Sequence, residues 1–123
     1  MTAPSQPLII ERVIAHPLRA QLPKPQRTSQ GDYAAIEIVL AEIVTRDGIV
    51  GWGEGLARRG VRGYAEFIRE ILSPCLVGRD ARDRRALWKA MRGQLTGRPG
   101  GQIVEAISAI DIALWDIAGK AMG

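Results

Sequence analysis

A chain of 123 residues suits one domain with its own core, and a hydrophobic share of 46% excludes a disordered tail. The formal net charge is +4, and 14 of the 17 basic residues are arginine; bases and acids are interspersed, so the surface reads as mixed and solvated and nucleic acid as an unfavoured partner. The single cysteine, Cys75, rules out an internal disulfide and fits a reducing cytoplasm, and no apolar run approaches the roughly 20 residues of a membrane span.

Residues 1–7 carry two prolines, no basic start and no apolar stretch, so they are expected to be a loose leader and not a signal peptide. From Leu8 to Leu18 the pattern predicts a strand, with Ile10, Ile14 and Leu18 on one face and Ile9, Val13 and Ala15 on the other. Gln21 to Asp32 contains two prolines and a glycine and is expected to be a long polar loop. Tyr33 to Thr45 is the strongest strand: Ile36, Ile38, Leu40 and Val44 alternate with Val39, Ala41 and Ile43. Both of its faces are apolar, so a further covering element is expected. Asp47-Gly48 marks a hairpin, and a third strand is predicted from Ile49 to Glu54. Gly51 and Gly53 around Trp52 imply a bulge or a close backbone approach, with Trp52 expected in core packing.

The second half reads as helical. Val61, Tyr64, Phe67, Ile68, Ile71 and Leu72 recur at helical spacing until Ser73-Pro74, which should end or distort the helix. After a turn at Val77-Gly78, Asp80 is expected to cap a helix carrying Leu87, Met91 and Leu95. Thr96 to Gly101 is glycine-rich and predicts a helix–helix connection. The last helix, about Gln102 to Met122, is apolar over more than half its girdle and is expected to be buried on more than one side. The predicted fold class is α+β: a three-stranded antiparallel meander followed by a helical bundle, one domain over residues 1–123. Some of Val39, Ala41, Ile43 and Trp115 are expected to stand exposed on an isolated chain.

No residue pattern specifies catalysis. His16 is a lone histidine without a nearby metal-ligand partner, Cys75 lies in an apolar setting, and neither Asp111 nor Asp116 has metal-site spacing; both are expected to cap, pair or orient backbone groups. The informative feature is an ordered set: GIVGWGE at 48–54, VGRD at 77–80 and EAISAIDIALWDIAGK at 105–120. In that order and spacing the chain resembles the N-terminal capping domain of the mandelate racemase and muconate lactonising group of the enolase superfamily.

The resemblance implies a partner, a C-terminal (β/α)₇β barrel, that would hold the catalytic groups and Mg²⁺. It implies no catalytic residue, no metal ligand and no cofactor in the chain itself. It implies a homo-oligomer at full length and a reaction that abstracts a proton beside a carboxylate: racemisation, dehydration or cycloisomerisation, with sugar acids among the substrates. By position, two segments match the family's specificity loops: Gln21 to Asp32 with Lys24 and Arg27, and the stretch after Glu54 with Leu56, Arg58 and Arg59. Basic residues there would suit a carboxylate, because arginine binds it through paired hydrogen bonds. A stand-alone module for acidic ligands or nucleic acid is the alternative.

Overall fold

The structure is a computed structural model and describes residues 6–95, 97 and 100–123. Most of the expected leader (residues 1–5), and Thr96, Arg98 and Pro99 of the expected connection, lie outside the described residues. Strands β1 (Ile10–Thr28), β2 (Gly31–Thr45) and β3 (Val50–Ala57) form one antiparallel sheet in the order β1-β2-β3. Helix α1 (Val61–Phe67) runs through a π-helical turn (Ile68–Leu72) into α2 (Ser73–Leu76); α3 (Arg84–Arg92) and α4 (Gln102–Met122) follow. The predicted α+β meander is therefore present.

Several local expectations are corrected. The polar segment Gln21–Asp32 is not a loop: β1 continues to Thr28 and pairs back on β2 through Gln26–Tyr33, Arg27–Asp32 and Thr28–Gly31. The prolines that argued for a break, Pro23 and Pro25, sit in a bulge where Leu22–Pro25 oppose Ala34 alone, so their missing N–H groups cost no ladder bond. Gly31 closes the tip at φ 125°, and Thr28 Oγ1 donates to its carbonyl at 2.8 Å. A second bulge between Ile10 and Arg12 switches faces, so Ile10 joins the core while Ile14 and Leu18 turn to the open side.

Pro74 distorts its helix and does not end it. The turn before it is π-helical, with the Ser73 amide donating to the Ile68 carbonyl, and the helix stops at Val77-Gly78, where Gly78 adopts φ 84°. Asp80 does not cap α3, which starts after Asp83. Its Oδ1 accepts instead from the Leu8 amide (3.1 Å) and the Arg82 amide (3.0 Å), tying the start of the chain to the turn before α3. Helix α3 ends at Arg92, leaving Leu95 outside it.

The core lies between the sheet and the helices. Ile10, Val39, Ala41 and Ile43 are fully buried against Ala106, Ile110, Ala113 and Leu114 of α4. Of the four residues among which exposure is expected, Val39, Ala41 and Ile43 are buried, because α4 covers that face at a gain of about 1.5–3 kcal/mol per large side chain, and Trp115 is the one left exposed. The face left open is the other one, where Leu18, Ile38 and Leu56 stand in register across the three strands, beside Ile36 and Trp52.

Close approach of α4 to β3 depends on glycine. A β-carbon on Gly51 or Gly53 would overlap the carbonyl oxygens of Ala113 and Ala109, and one on Gly55 would stand 2.9 Å from that of Glu105. Alternate residues of the strand thus meet every fourth residue of the helix, with no side chain between the two backbones. Trp52, on the opposite parity, is consequently exposed and not in the core as expected. Asp116 fastens the pair: its Oδ2 accepts from the Trp52 amide (2.9 Å) and from Lys120 Nζ (2.7 Å), which also donates to the Val50 carbonyl (2.7 Å).

Candidate functional site

The two predicted specificity segments lie at the same end of the sheet, because β1 and β2 project past the point where β3 ends. Ala57 pairs with Glu37, and six more residues of β2 precede Glu37 up to the tip at Gly31. The chain leaves β3 through Arg58 and Arg59 and bends into α1 at Gly60, which holds φ 74°. A cleft of about 370 Å³ fills the angle, lined by Arg19, Asp32, Tyr33, Glu37, Arg58 and Arg59 among others.

The structure brings Arg58 and Arg59 together there and leaves Lys24 apart, in the bulge of β1. Arg27 reaches the cleft only indirectly, by donating from Nε to Asp32 Oδ1 at 3.2 Å; its side chain is 87% exposed. Leu56 does not lie in a loop as expected: it belongs to β3, pairs with Ile38 and is 52% exposed on the open sheet face.

Sequence reading missed Arg19, Glu37, Tyr64 and Glu105. Arg19 and Glu37 face each other across β1 and β2, a pairing fixed only once the register is known. Tyr64 on α1 is almost fully buried, and its hydroxyl donates to Glu105 Oε2 at 2.8 Å. Burial and that carboxylate push the Tyr64 phenol above its usual pKa, and the Arg58 amide pulls it the other way. Glu105 Oε1 in turn accepts from Arg58 Nε at 3.4 Å. One carboxylate on α4 therefore links a core phenol to the bend after β3. A polar residue within the apolar pattern of α4 was the only sequence signal.

Elsewhere, His16 Nε2 and Glu42 Oε2 lie 2.8 Å apart on the open sheet face, beside the Trp52 ring, a structural pairing. The half-buried Cys75 donates from Sγ to the Ile71 carbonyl at 3.2 Å, and burial raises its pKa, so its thiolate is disfavoured. Trp115 is 58% exposed, as expected, with the Arg84 guanidinium 4.1 Å from its ring centre. Among the described residues no three His, Cys, Asp or Glu side chains converge to hold a metal ion. No described helix is long and apolar enough to cross a membrane.

Residues 9–123 match the profile described as "Mandelate racemase / muconate lactonizing enzyme, N-terminal domain". A D-galactonate dehydratase family member of Streptomyces bingchenggensis is 35% identical over 85 residues, covering 69% of this chain and 21% of the relative. Among solved structures, a racemase from Streptomyces coelicolor with bound magnesium superposes with a TM-score of 0.84 at 33% identity, covering 90% of this chain and 32% of that one. An enolase-superfamily member from Polaromonas sp. JS666 gives 0.85 at 31% identity, covering 93% and 31%. The chain thus spans about a fifth of the curated relative's length and about a third of the solved ones.

Proposed function

The chain belongs to the mandelate racemase / muconate lactonizing enzyme family as its N-terminal capping domain, and from that premise we propose that it closes over and selects the substrate of a magnesium-dependent enzyme whose chemistry resides in a separate (β/α)₇β barrel. The reaction class is proton abstraction α to a carboxylate, and the substrates are carboxylic acids, sugar acids among them. The names of the relatives, a D-galactonate dehydratase family member and a racemase with bound magnesium, support that class.

The observation that carries the reading is the convergence of the β1–β2 tip and the β3–α1 bend on one arginine-lined cleft. Chemistry at a barrel's mouth needs a wall that excludes water and recognises the far end of the substrate, and such walls are built from segments that can close. Two uncovered apolar surfaces, the open sheet face and the Trp115 region of α4, support a docking role.

The test is the coding sequence beyond Gly123 and the activity of its product. A barrel continuation whose product exchanges the α-proton of hydroxy acids with D₂O in the presence of Mg²⁺, followed by proton NMR, is the expected result. The 123-residue chain alone should give no exchange. A natural stop codon after Gly123 together with a well-behaved monomer would replace the capping reading by a stand-alone module for acidic ligands.

A further inference from the structure

Bases and acids alternate along the chain as a whole, yet helix α3 sorts them. Arg84, Arg85, Trp88, Lys89 and Arg92 recur at the spacing of one helix face, and the helix holds no acidic residue. Leu87 and Met91 take its other side into the core. Arg85 and Lys89 are like charges one turn apart, and Arg84 and Arg85 stand in the first turn, where the helix dipole disfavours a cation. Arg69 and Lys120, on other helical segments, are paired instead with Glu66 and Glu70 and with Asp116. Arg84, Arg85, Lys89 and Arg92 have no ion-pair partner among the described residues. Arg84 stacks on Trp115 of α4, its guanidinium carbon 4.1 Å from the ring centre, and Arg92 stacks on Trp88 at 4.9 Å. Cavities of about 440 and 390 Å³ flank Trp115, and the carboxylates that border them are Asp83 and Asp111.

We propose that the α3 face and Trp115 together form a docking site for an acidic protein segment. Its Asp and Glu side chains pair with Arg84, Arg85, Lys89 and Arg92, and its chain lies against Trp115. The inference stands on α3 and α4 alone and goes beyond the capping reading without depending on it.

Charge complementarity decides the class of partner. Like charges at neighbouring positions of a helix cost stability in the free chain, and carboxylates from outside relieve that cost. Exposed tryptophan beside arginine is the composition of protein–protein contact centres. A single-stranded nucleic acid stacks its bases on open aromatic rings, whereas the guanidinium groups of Arg84 and Arg92 already lie on these two. A membrane surface takes the apolar side of a helix, and that side of α3 is in the core.

The experiment follows the indole N–H signals of Trp52, Trp88 and Trp115 in the ¹⁵N-labelled 123-residue chain. The probe is an end-capped peptide of five Glu-Ala repeats. A thymidine hexanucleotide carries the same five charges, and phosphatidylglycerol vesicles supply an anionic lipid surface. The peptide should shift Trp88 and Trp115 saturably, leave Trp52 on the open sheet face in place, and bind more tightly than the hexanucleotide. Arg85→Glu should weaken peptide binding roughly tenfold or more, one attractive charge having become repulsive. The same substitution should raise the thermal midpoint of the free chain, because it puts an acid in the first turn and one turn before Lys89. Arg46→Glu, on the turn after β2, changes the net charge equally and should leave binding nearly as in the parent chain.

No saturable shift at Trp88 and Trp115, or an equal shift at Trp52, overturns the site. Tighter binding to the hexanucleotide or to the vesicles overturns the protein nature of the partner. Unchanged peptide binding in Arg85→Glu overturns the choice of face, and an equal loss in Arg46→Glu reduces the effect to net charge and overturns it as well. A lowered midpoint in Arg85→Glu overturns the argument from self-repulsion on α3. Absence of proton exchange in a barrel-joined product would end the capping reading and leave each of these outcomes standing.

Discussion

At the scale of single residues, two aspartates on α4 act on stability with opposite sign. The Asp116 carboxyl is held below its usual pKa, chiefly by Lys120 and then by the Trp52 amide. A depressed folded pKa gives stability that is complete above the unfolded value near 3.8 and lost as pH falls through the lower folded value. Asp111 is raised instead, because burial penalises its charged form more than Arg84 relieves it. Its contribution is complete below 3.8 and lost as pH rises through the raised folded value. Asp116→Asn should therefore lower stability at pH 7 by about 1 kcal/mol, a charged hydrogen-bond contribution discounted for its partial exposure. Asp111→Asn should raise it. Denaturant midpoints at pH 7 and pH 3 check both: the Asp111 difference should vanish in acid and the Asp116 difference should shrink. A destabilised Asp111→Asn at pH 7 would contradict the assignment.

At the scale of elements, the β3–α4 contact sets what the sequence tolerates. Gly53→Ala pushes a methyl group into the α4 backbone, which cannot yield as a flexible side chain can. It should cost about 3 kcal/mol or more, at the upper end of overpacking. Gly63, within α1, has open space around its β-position and no unusual φ. Gly63→Ala should stabilise by roughly 0.5–1 kcal/mol through helix propensity and reduced freedom of the unfolded chain. Thermal melts of the two variants should move in opposite directions, and equal shifts would refute the close-approach account. The pair Gly51–Gly53 was visible in the sequence as an interruption of the strand. Which helix it admits, and that Gly55 belongs to the same stripe, came only with the packing.

At the scale of the whole molecule, the open surfaces predict how the isolated chain behaves. Leu18, Ile36, Trp52 and Leu56 are exposed on one sheet face, and Trp88, Ile112 and Trp115 on the α3–α4 side. Apolar patches beyond a few hundred Å² are unusual on soluble monomers. The chain should bind a hydrophobic dye and sediment as more than a monomer at high concentration, and Ile36→Thr with Leu56→Thr should reduce both. A compact monomer that leaves the dye silent would count against a missing partner surface.

Alternation and helical periodicity determined the order of strands and helices and the α+β class by themselves, because burying one face of an element imposes a period of 2 or 3.6 on any sequence. The ordered segments at 48–54, 77–80 and 105–120 were enough to mark the family resemblance before any coordinates. Three things needed the tertiary structure. Both faces of β2 are apolar, so local pattern could not say which one α4 would cover. The bulges at Glu11 and at Leu22–Pro25 shift register by residues that local pattern counts as ordinary strand or as loop, and with register went the identity of Arg19 and Glu37 as neighbours. The Tyr64–Glu105–Arg58 chain joins residues 41 and 47 positions apart. Only the close approach that the glycines permit brings those residues within hydrogen-bond reach.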